Sequence, residues 1–228
     1  MAPKEHSPPK ILAVDIETAG DKAETPGVIF ALGMVEVSPD KDIIATELVL
    51  NTVPTTREGW KAYFDSVDGQ DVYERFWKPR LPMLDPYLTH EDTECMKFVG
   101  EREMAELVRE AFDRNSGGYR LFDTVHFDPV FVSALLARHD LIPIRFKGTD
   151  YVGNNIKNVD DLIKGALMHA RDSIKSPDDD QRALCLPCPR LQLLPLHRPS
   201  RDAWKIAANF HWLLAACGLV ESKEPQGS

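Results

Sequence analysis

The chain has 228 residues, of which 43% are hydrophobic and 28% charged, and its formal net charge is −9. This length suits one substantial domain with a buried core better than two, and the composition is that of an ordinary globular protein. The acidic balance argues against a broad polyanion-binding surface, although an enzyme that grips only a few nucleotides is compatible with it.

Membrane and export signals are not expected from this sequence. No run approaches the roughly 18 apolar residues that a spanning helix needs, and the segment MAPKEHSPPK has no apolar signal core. We therefore expect no membrane association and a cytoplasmic or nuclear location. Cys185 and Cys188 form a lone CxxC pair without the further ligands of a structural zinc site, so reduced thiols are the expected state.

Three β-rich runs follow a polar tail, residues 1–9, that we expect to be disordered. Residues 10–15 hold the apolar run ILAV, which is typical of a buried strand. Two further runs, 27–37 and 41–51, are separated by the turn signal Ser38-Pro39-Asp40. The pattern predicts an antiparallel three-strand meander with the first strand at or near its centre.

Helical patterns alternate with strands in the rest of the chain. Residues 52–92 have no clean period and predict short helices and loops. The remaining predicted elements are a helix over 100–114, a strand over 119–125, helices over 129–140 and 156–175, a proline-rich loop over 176–200 and a helix over 200–217. We expect an α/β domain with a mixed sheet over 10–218 and a disordered tail over 219–228.

Two carboxylates stand at the end of the first predicted strand. Asp15 and Glu17 are two residues apart, so in a strand both side chains point to one face. Their mutual repulsion is costly unless a cation lies between them, and Mg²⁺ or Mn²⁺ takes such oxygens readily. A strand end that carries two carboxylates by chance is the alternative.

Later segments add another aspartate and a histidine–aspartate pair. Asp128 directly precedes Pro129 at a predicted helix start, where an N-cap role is the plain alternative. His197 and Asp202 form an H-x4-D pattern before the last predicted helix. Ser200 can cap that helix, which leaves Asp202 in its first turn facing the helix dipole. His197 has no apolar face to serve.

In this order the four carboxylates and the histidine resemble the His-containing (DEDDh) branch of the DEDD superfamily of 3′–5′ exonucleases. The likeness is strongest to phage-type exonucleases and their bacterial relatives, because the stretch VHFDPVFV of this chain resembles the second motif of those proteins. That family carries DxE on the first strand of a ribonuclease-H-like sheet, an aspartate after the fourth strand, and H-x4-D at the last helix. The stretch Asp123-Thr124-Val125 departs from the small polar turn that relatives often have.

The resemblance implies a metal-dependent 3′–5′ exonuclease that releases nucleoside 5′-monophosphates from single-stranded or frayed ends, with DNA favoured. It implies two Mg²⁺ or Mn²⁺ ions and a histidine general base. The implied metal ligands are Asp15, Glu17, Asp128 and Asp202, and the implied base is His197. Thr18 would meet the terminal sugar. Phe127, Trp60 or Trp77 would stack on bases, with core packing as the alternative reading of these rings.

Three other interpretations stay open on the sequence. In the first, the enzyme acts on RNA or short oligoribonucleotides instead of DNA. In the second, the fold is an inactive nucleic-acid-binding module. The third is a generic acidic α/β protein with chance carboxylates. Some relatives pair through the meander or helix faces, so a homodimer stands beside a monomer.

Overall fold

The computed structural model of the chain describes residues 9–40, 42–122, 127–141, 156–158, 186–195 and 197–216. Its first three strands form the predicted meander: β1 is Ile11–Thr18, β2 is Ile29–Val37 and β3 is Ile43–Leu50. Neighbours within it pair antiparallel. Because β1 continues to Thr18, both carboxylates of the DxE motif lie inside the strand.

Three shorter strands complete a six-stranded sheet. They are β4 (Met96–Val99), β5 (Tyr119–Phe122) and β6 (Ile156–Asn158). The order is β4-β3-β2-β1-β5-β6, with parallel pairing of β4 to β3, of β5 to β1 and of β6 to β5. The prediction of a mixed α/β sheet, a meander plus parallel strands, is thus confirmed, and β1 lies in the interior.

Two of these strands differ from the expectations. Sequence patterning did not predict β4, so the strand that precedes Asp128 is the fifth and not the fourth. The helix predicted over 156–175 is wrong for residues 156–158, which pair with β5. Ladder pairing there overrides local helical preference. The rest of that predicted helix, 159–175, lies outside the described residues, as do 1–8 of the first tail and all of 219–228.

The helices cover both faces of the sheet. The helical predictions over 100–114, 129–140 and 200–217 agree with the structure to within two residues at either end. None of the helices in the described ranges is long and apolar enough to cross a membrane. In chain order the helices are α1 (Gly59–Ser66), α2 (Gln70–Val72), α3 (Glu101–Arg114), α4 (Asp128–Arg138), α5 (Pro189–Gln192) and α6 (Pro199–Ala216).

An aromatic cluster packs against the end of β1 on one face of the sheet, and it consists of Phe30, Trp60, Phe64, Trp77 and Tyr87. Pairing passes from Glu17–Ala31 to Thr18–Ile29, which leaves Phe30 as an extra residue of β2. Such a bulge re-aims side chains. The Phe30 ring meets Trp77 at 5.3 Å between centroids, and Trp77 donates its indole N–H to the Thr18 carbonyl at 3.1 Å. Trp77 lies in a π-helical turn, Tyr73–Trp77, that follows α2 and leads into the 3₁₀ stretch Lys78–Tyr87.

The opposite face is covered by α6. Ile11 and Ala13 of β1 and Val35 of β2 pack there against apolar residues of the helix, among them Ala203 and Trp204. The two faces therefore have separate cores, one under α6 and the other under the aromatic cluster, α3 and α4. Because β1 contributes to both, its position is fixed from two sides.

One partly buried carboxylate connects α3, α4 and the loop after β1. Glu101 accepts hydrogen bonds from the Gly27 backbone N–H at 2.9 Å and from the Arg138 guanidinium at 2.6 Å. His139 lies 3.3 Å from the same carboxylate, and Arg138 also donates to the Ala23 carbonyl at 2.7 Å. Despite burial, these donors lower the pKa of Glu101, so the carboxylate is ionised at neutral pH.

We expect Glu101→Gln to lower the free energy of unfolding by about 1.5–3 kcal/mol, because it weakens charge-assisted hydrogen bonds to a partly buried group. Chemical denaturation measures this change. Glu106→Gln is the matched control on the same helix, since the Glu106–Arg102 pair is longer, at 3.8 Å, and exposed. Equal stability of the two variants would contradict the role given to Glu101.

Candidate active site

The carboxyl end of β1 presents two acidic side chains toward the start of α6. Asp15 and Glu17 alternate with Ile16 along the strand, so they share the face on which Ile11 and Ala13 contact α6. Asp15 is half-buried, and Glu17 is only 8% exposed. A carboxylate with so little water around it needs another source of stabilisation for its charge.

The start of α6 brings a histidine and a second carboxylate to Glu17. Single ligand atoms of Glu17, His197 and Asp202 all lie within 4.8 Å of one another, the sole such group of three among the residues that the structure describes. His197 Nδ1 is 3.7 Å from Glu17 Oε1, which is a charge contact and longer than a hydrogen bond. Side chains about 180 residues apart in sequence thus converge at one point.

The proximity of these groups shifts the pKa of each. Burial raises the pKa of Glu17 to about 7, and the charges of Asp202 and Glu47 act in the same direction against the lowering by His197. The neighbouring Glu17 carboxylate raises the pKa of His197. Burial also raises the pKa of Asp202. The carboxylates of the cluster therefore bind protons more tightly than in water, chiefly because burial disfavours their ionised form.

The structure also places the other two predicted ligands. Asp15 lies on the same strand face as Glu17, but it does not belong to the group of three, and neither does Asp128. Asp128 is buried, 5% exposed, and is the first residue of α4. The N-cap of α4 is Phe127, so capping does not account for Asp128.

The cap assignment for Ser200 was wrong. The last helix begins at Pro199, which places Ser200 inside it, and the Ser200 hydroxyl donates to the buried carboxylate of Glu47. Asp202 does lie in the first turn of α6, as predicted. Asp202 therefore interacts with the helix dipole and also belongs to the cluster with Glu17 and His197.

A cavity of about 450 Å³ opens beside the cluster. Glu17 and Thr18 line one side, and Phe127 lines another, so both predicted substrate contacts border the same space as a predicted metal ligand. Phe76 and Trp77 complete the aromatic part of the lining. The volume lies within the range of small-molecule sites in proteins.

The three aromatic candidates have different environments. Trp60 is fully buried in the aromatic cluster and does not reach the cavity, so the core reading is right for it. Trp77 is 1% exposed, and it lines the cavity wall while holding Thr18. Phe127 is 38% exposed, with its ring against Phe131, and has an accessible face.

Sequence analysis did not single out an arginine and a phenylalanine beside His197. The Phe76 ring meets the His197 ring edge-on at 5.4 Å, and the Arg80 guanidinium lies over Phe76 at 4.4 Å from the ring centre. Arg80 is close enough for its charge to oppose protonation of His197. The run RFWKPR (75–80) alternates basic and aromatic residues, a signal that could have marked this wall.

The set of donors fits a hard divalent cation. Carboxylate oxygens are the ligands that Mg²⁺ and Mn²⁺ prefer, and a bound cation would offset the cost that burial adds to ionising Glu17 and Asp202. What the fold and the site define together is an acidic, histidine-containing centre at the end of the interior strand of a mixed α/β sheet, with an aromatic-walled cavity beside it.

Comparison with known proteins supports the fold. A product-bound structure of exonuclease I superposes with a TM-score of 0.52 over 91% of this chain, at 14% sequence identity. The chain spans 43% of the length of that protein. The architecture is accordingly the ribonuclease-H-like α/β fold that this exonuclease structure also has. No family model matches the sequence, and no curated protein does so either.

The pKa shifts predict how stability depends on pH without metal. Folding raises the pKa of Glu17 from 4.5 to about 7. Protonated Glu17 therefore makes its full contribution to the stability of the fold below the unfolded-state pKa of 4.5. This contribution is lost as the pH rises through the folded-state pKa of about 7. The shift corresponds to on the order of 3 kcal/mol. The raised pKa values of His197 and Asp202 act in the same direction.

We therefore expect the melting temperature of metal-free protein to fall between about pH 5 and about pH 8, with a shallower fall for Glu17→Gln. Mn²⁺ should raise the melting temperature more at the higher pH, because its ligands must be deprotonated. Scanning calorimetry with and without Mn²⁺ measures both effects. A stabilisation by Mn²⁺ that is independent of pH and unaffected by Glu17→Gln would contradict a metal site at this cluster.

Proposed function

We propose that the chain is a metal-dependent 3′–5′ exonuclease of the DEDDh type. It would hydrolyse the terminal phosphodiester bond of single-stranded or frayed nucleic acid and release nucleoside 5′-monophosphates. The observation that carries this proposal is the convergence of Glu17, His197 and Asp202 within 4.8 Å beside an aromatic-walled cavity. The likeness of the fold to exonuclease I supports it.

Four carboxylates would hold the metal ions: Asp15, Glu17, Asp128 and Asp202. When bound, a pair of Mg²⁺ or Mn²⁺ ions supplies charge neutralisation at the phosphate and a water of lowered pKa. Glu17 and Asp202 form one end of this ligand set, next to His197. Asp15 projects from the same face of β1 as Glu17, and from there it would also hold a metal ion.

His197 would act as the general base. Its imidazole is 35% exposed and lies at the edge of the cluster, where it can meet an attacking water and then pass the proton to solvent. Glu17 and Asp202 stabilise the imidazolium that forms, and Arg80 works against it. The opposing charges on either side keep the ring able both to accept and to release a proton.

The cavity would receive the terminal nucleotide. Thr18 borders it directly after Glu17, so its hydroxyl would meet the sugar, and the exposed ring of Phe127 would stack on a base. A cavity of about 450 Å³ suits one unpaired nucleotide better than a base pair. The net charge of −9 fits an enzyme that contacts few phosphates.

The decisive assay follows end-labelled strands. Single-stranded DNA, duplex DNA and RNA of one sequence, labelled at the 5′ end, are incubated with the protein and Mg²⁺ or Mn²⁺, and the products are resolved by length. Stepwise shortening from the 3′ end with release of mononucleotides is expected, fastest on single-stranded DNA. Internal cleavage would contradict the proposal. Metal-dependent binding without shortening would favour the inactive binding module.

Site variants should lose turnover while remaining folded. We expect His197→Ala to lower kcat by about two to four powers of ten, the usual worth of a general base. Asp15→Asn and Asp202→Asn should lose at least as much, because they remove ligands from the metal site. Glu110→Gln, exposed on α3, is the control and should match the unmodified chain. A His197→Ala variant with normal kcat would exclude His197 as the base.

Phe127 gives a test of strand binding. In an Asp15→Asn background, which prevents degradation, Phe127→Ala should weaken binding of a short single strand by about 1–3 kcal/mol, the usual worth of one base stacked on an aromatic ring. Fluorescence anisotropy measures the affinity. Val130→Ala is the matched control, since it removes an exposed apolar side chain from the first turn of α4, the helix whose N-cap is Phe127. Equal affinities for the two variants would place the strand elsewhere.

A further inference from the structure

A buried ion pair lies immediately beyond His197. The side chain of Arg198 is 8% exposed, and its Nε donates to Glu47 Oε1 at 2.8 Å. Glu47 is completely buried in β3, and its other oxygen accepts a hydrogen bond from the Ser200 hydroxyl. One carboxylate of the sheet thus holds both the first and the third residue after His197.

The sheet is shaped to receive this segment. Asp15, Gly33 and Glu47 form one row across β1, β2 and β3. A Cβ at Gly33 would lie 2.0 Å from the carbonyl carbon of Pro199, so only glycine lets the backbone at Pro199 rest on the sheet. The segment from Arg198 to Ser200 therefore lies over Gly33, between the carboxylates of Asp15 and Glu47.

Further contacts enclose the guanidinium. Arg198 Nη2 is 3.4 Å from Met96 Sδ, and the guanidinium carbon lies 5.5 Å from the centre of the Tyr87 ring. We name Glu47, Arg198, Ser200 and Gly33 the histidine seat. The contacts of Glu47 with Arg198 and Ser200 are made inside the protein, where a hydrogen bond is stronger than in water.

The backbone at His197 needs such support. Its φ is +59°, in the left-handed region that side-chain-bearing residues seldom occupy. Conformations of this kind persist where the surrounding structure holds them, and they occur preferentially at functional sites. The Asp202 carboxylate also accepts a hydrogen bond from the His197 backbone, so Asp202 and the histidine seat both hold this segment in place.

We infer that Glu47 is a positioning residue for His197, acting through Arg198 and Ser200 to fix the imidazole beside Glu17 and Asp202. This inference rests on the proposed function, in which His197 is the general base. A buried ion pair is a weak source of stability compared with apolar side chains of similar size. Its role is instead to orient the segment that follows His197, because one oxygen of Glu47 holds Arg198 and the other holds Ser200.

The double variant Glu47→Met with Arg198→Met separates positioning from stability. Apolar side chains of similar volume should keep the fold, so the melting temperature should stay close to that of the unmodified chain. We expect kcat to fall by about 10–100-fold, the cost of misplacing a reacting group by on the order of 1 Å, with KM nearly unchanged. Unchanged kcat would overturn the inference.

A cycle with His197→Ala shows whether the effect passes through the imidazole. If the seat acts on His197, the double substitution should cost little further kcat in the His197→Ala background. An equal loss in both backgrounds would mean a general structural role and would overturn the inference. The control is Glu36→Met with Arg114→Met, which removes an ion pair of 2.7 Å between β2 and α3, away from the histidine seat.

The imidazole itself provides a readout that does not need activity. The ring signal of His197 in a ¹³C–¹H NMR spectrum is the one that disappears in His197→Ala. It should be single and narrow in the unmodified chain, and shifted or broadened in the Glu47→Met/Arg198→Met variant. An unchanged signal would overturn the inference even if nuclease activity were absent. Absent activity with a changed signal would instead contradict the proposed function alone.

Ser200→Ala serves if the double variant does not fold. It removes one hydroxyl donor and leaves the Glu47–Arg198 pair in place. A displaced His197 signal and a several-fold lower kcat are then expected, and wild-type values for both would overturn the inference.

Discussion

The close approach of α6 to the sheet at Gly33 is the constraint on which the site depends. A side chain at this position would collide with the backbone of Pro199. Without one, the start of α6 comes down onto the row formed by Asp15, Gly33 and Glu47, and Asp202 reaches Glu17 from the first turn. The absence of a side chain at Gly33 of β2 thus allows segments that are distant in the sequence to meet at one site.

Electrostatics then sets the character of that centre. Glu17 and Glu47 are both buried, and burial raises the pKa of Glu17, with the charge of Glu47 acting in the same direction. Arg198 neutralises Glu47 inside the protein, whereas Glu17 faces His197 and a second carboxylate. The protein therefore satisfies one of the two buried glutamates internally and leaves the other dependent on protons or a bound cation.

Sequence reasoning found what depends on local pattern. Alternation places Asp15 and Glu17 on one face, and helical periodicity locates the long helices, so the meander and α3, α4 and α6 were predictable. It missed β4 and β6, strands of four and three residues whose formation depends on pairing with distant segments. Glu47 stands in IIATELVL like a solvent-facing residue of a half-exposed strand, yet it is completely buried. Only the docking of Arg198 explains this, and no local signal encodes it.

The role of Ser200 was also not predictable from local pattern, because in the sequence this residue looks like a helix cap. A hydroxyl one or two residues before an apolar helix favours that role on statistics alone. The backbone of α6 instead begins at Pro199, whose fixed φ suits a first helical position, and this frees the hydroxyl for Glu47. Residue types at the site were thus visible early, while their partners required the tertiary structure.

The placement of α6 also bears on how the chain folds. The meander β1–β3 pairs residues close in sequence, but the second core and the cluster of Glu17, His197 and Asp202 require a helix from the far end of the chain. Contacts of such long range form late, since loop closure must precede them. During synthesis the meander would emerge first with one face bare, and the cluster of Glu17, His197 and Asp202 would form only when α6 docks.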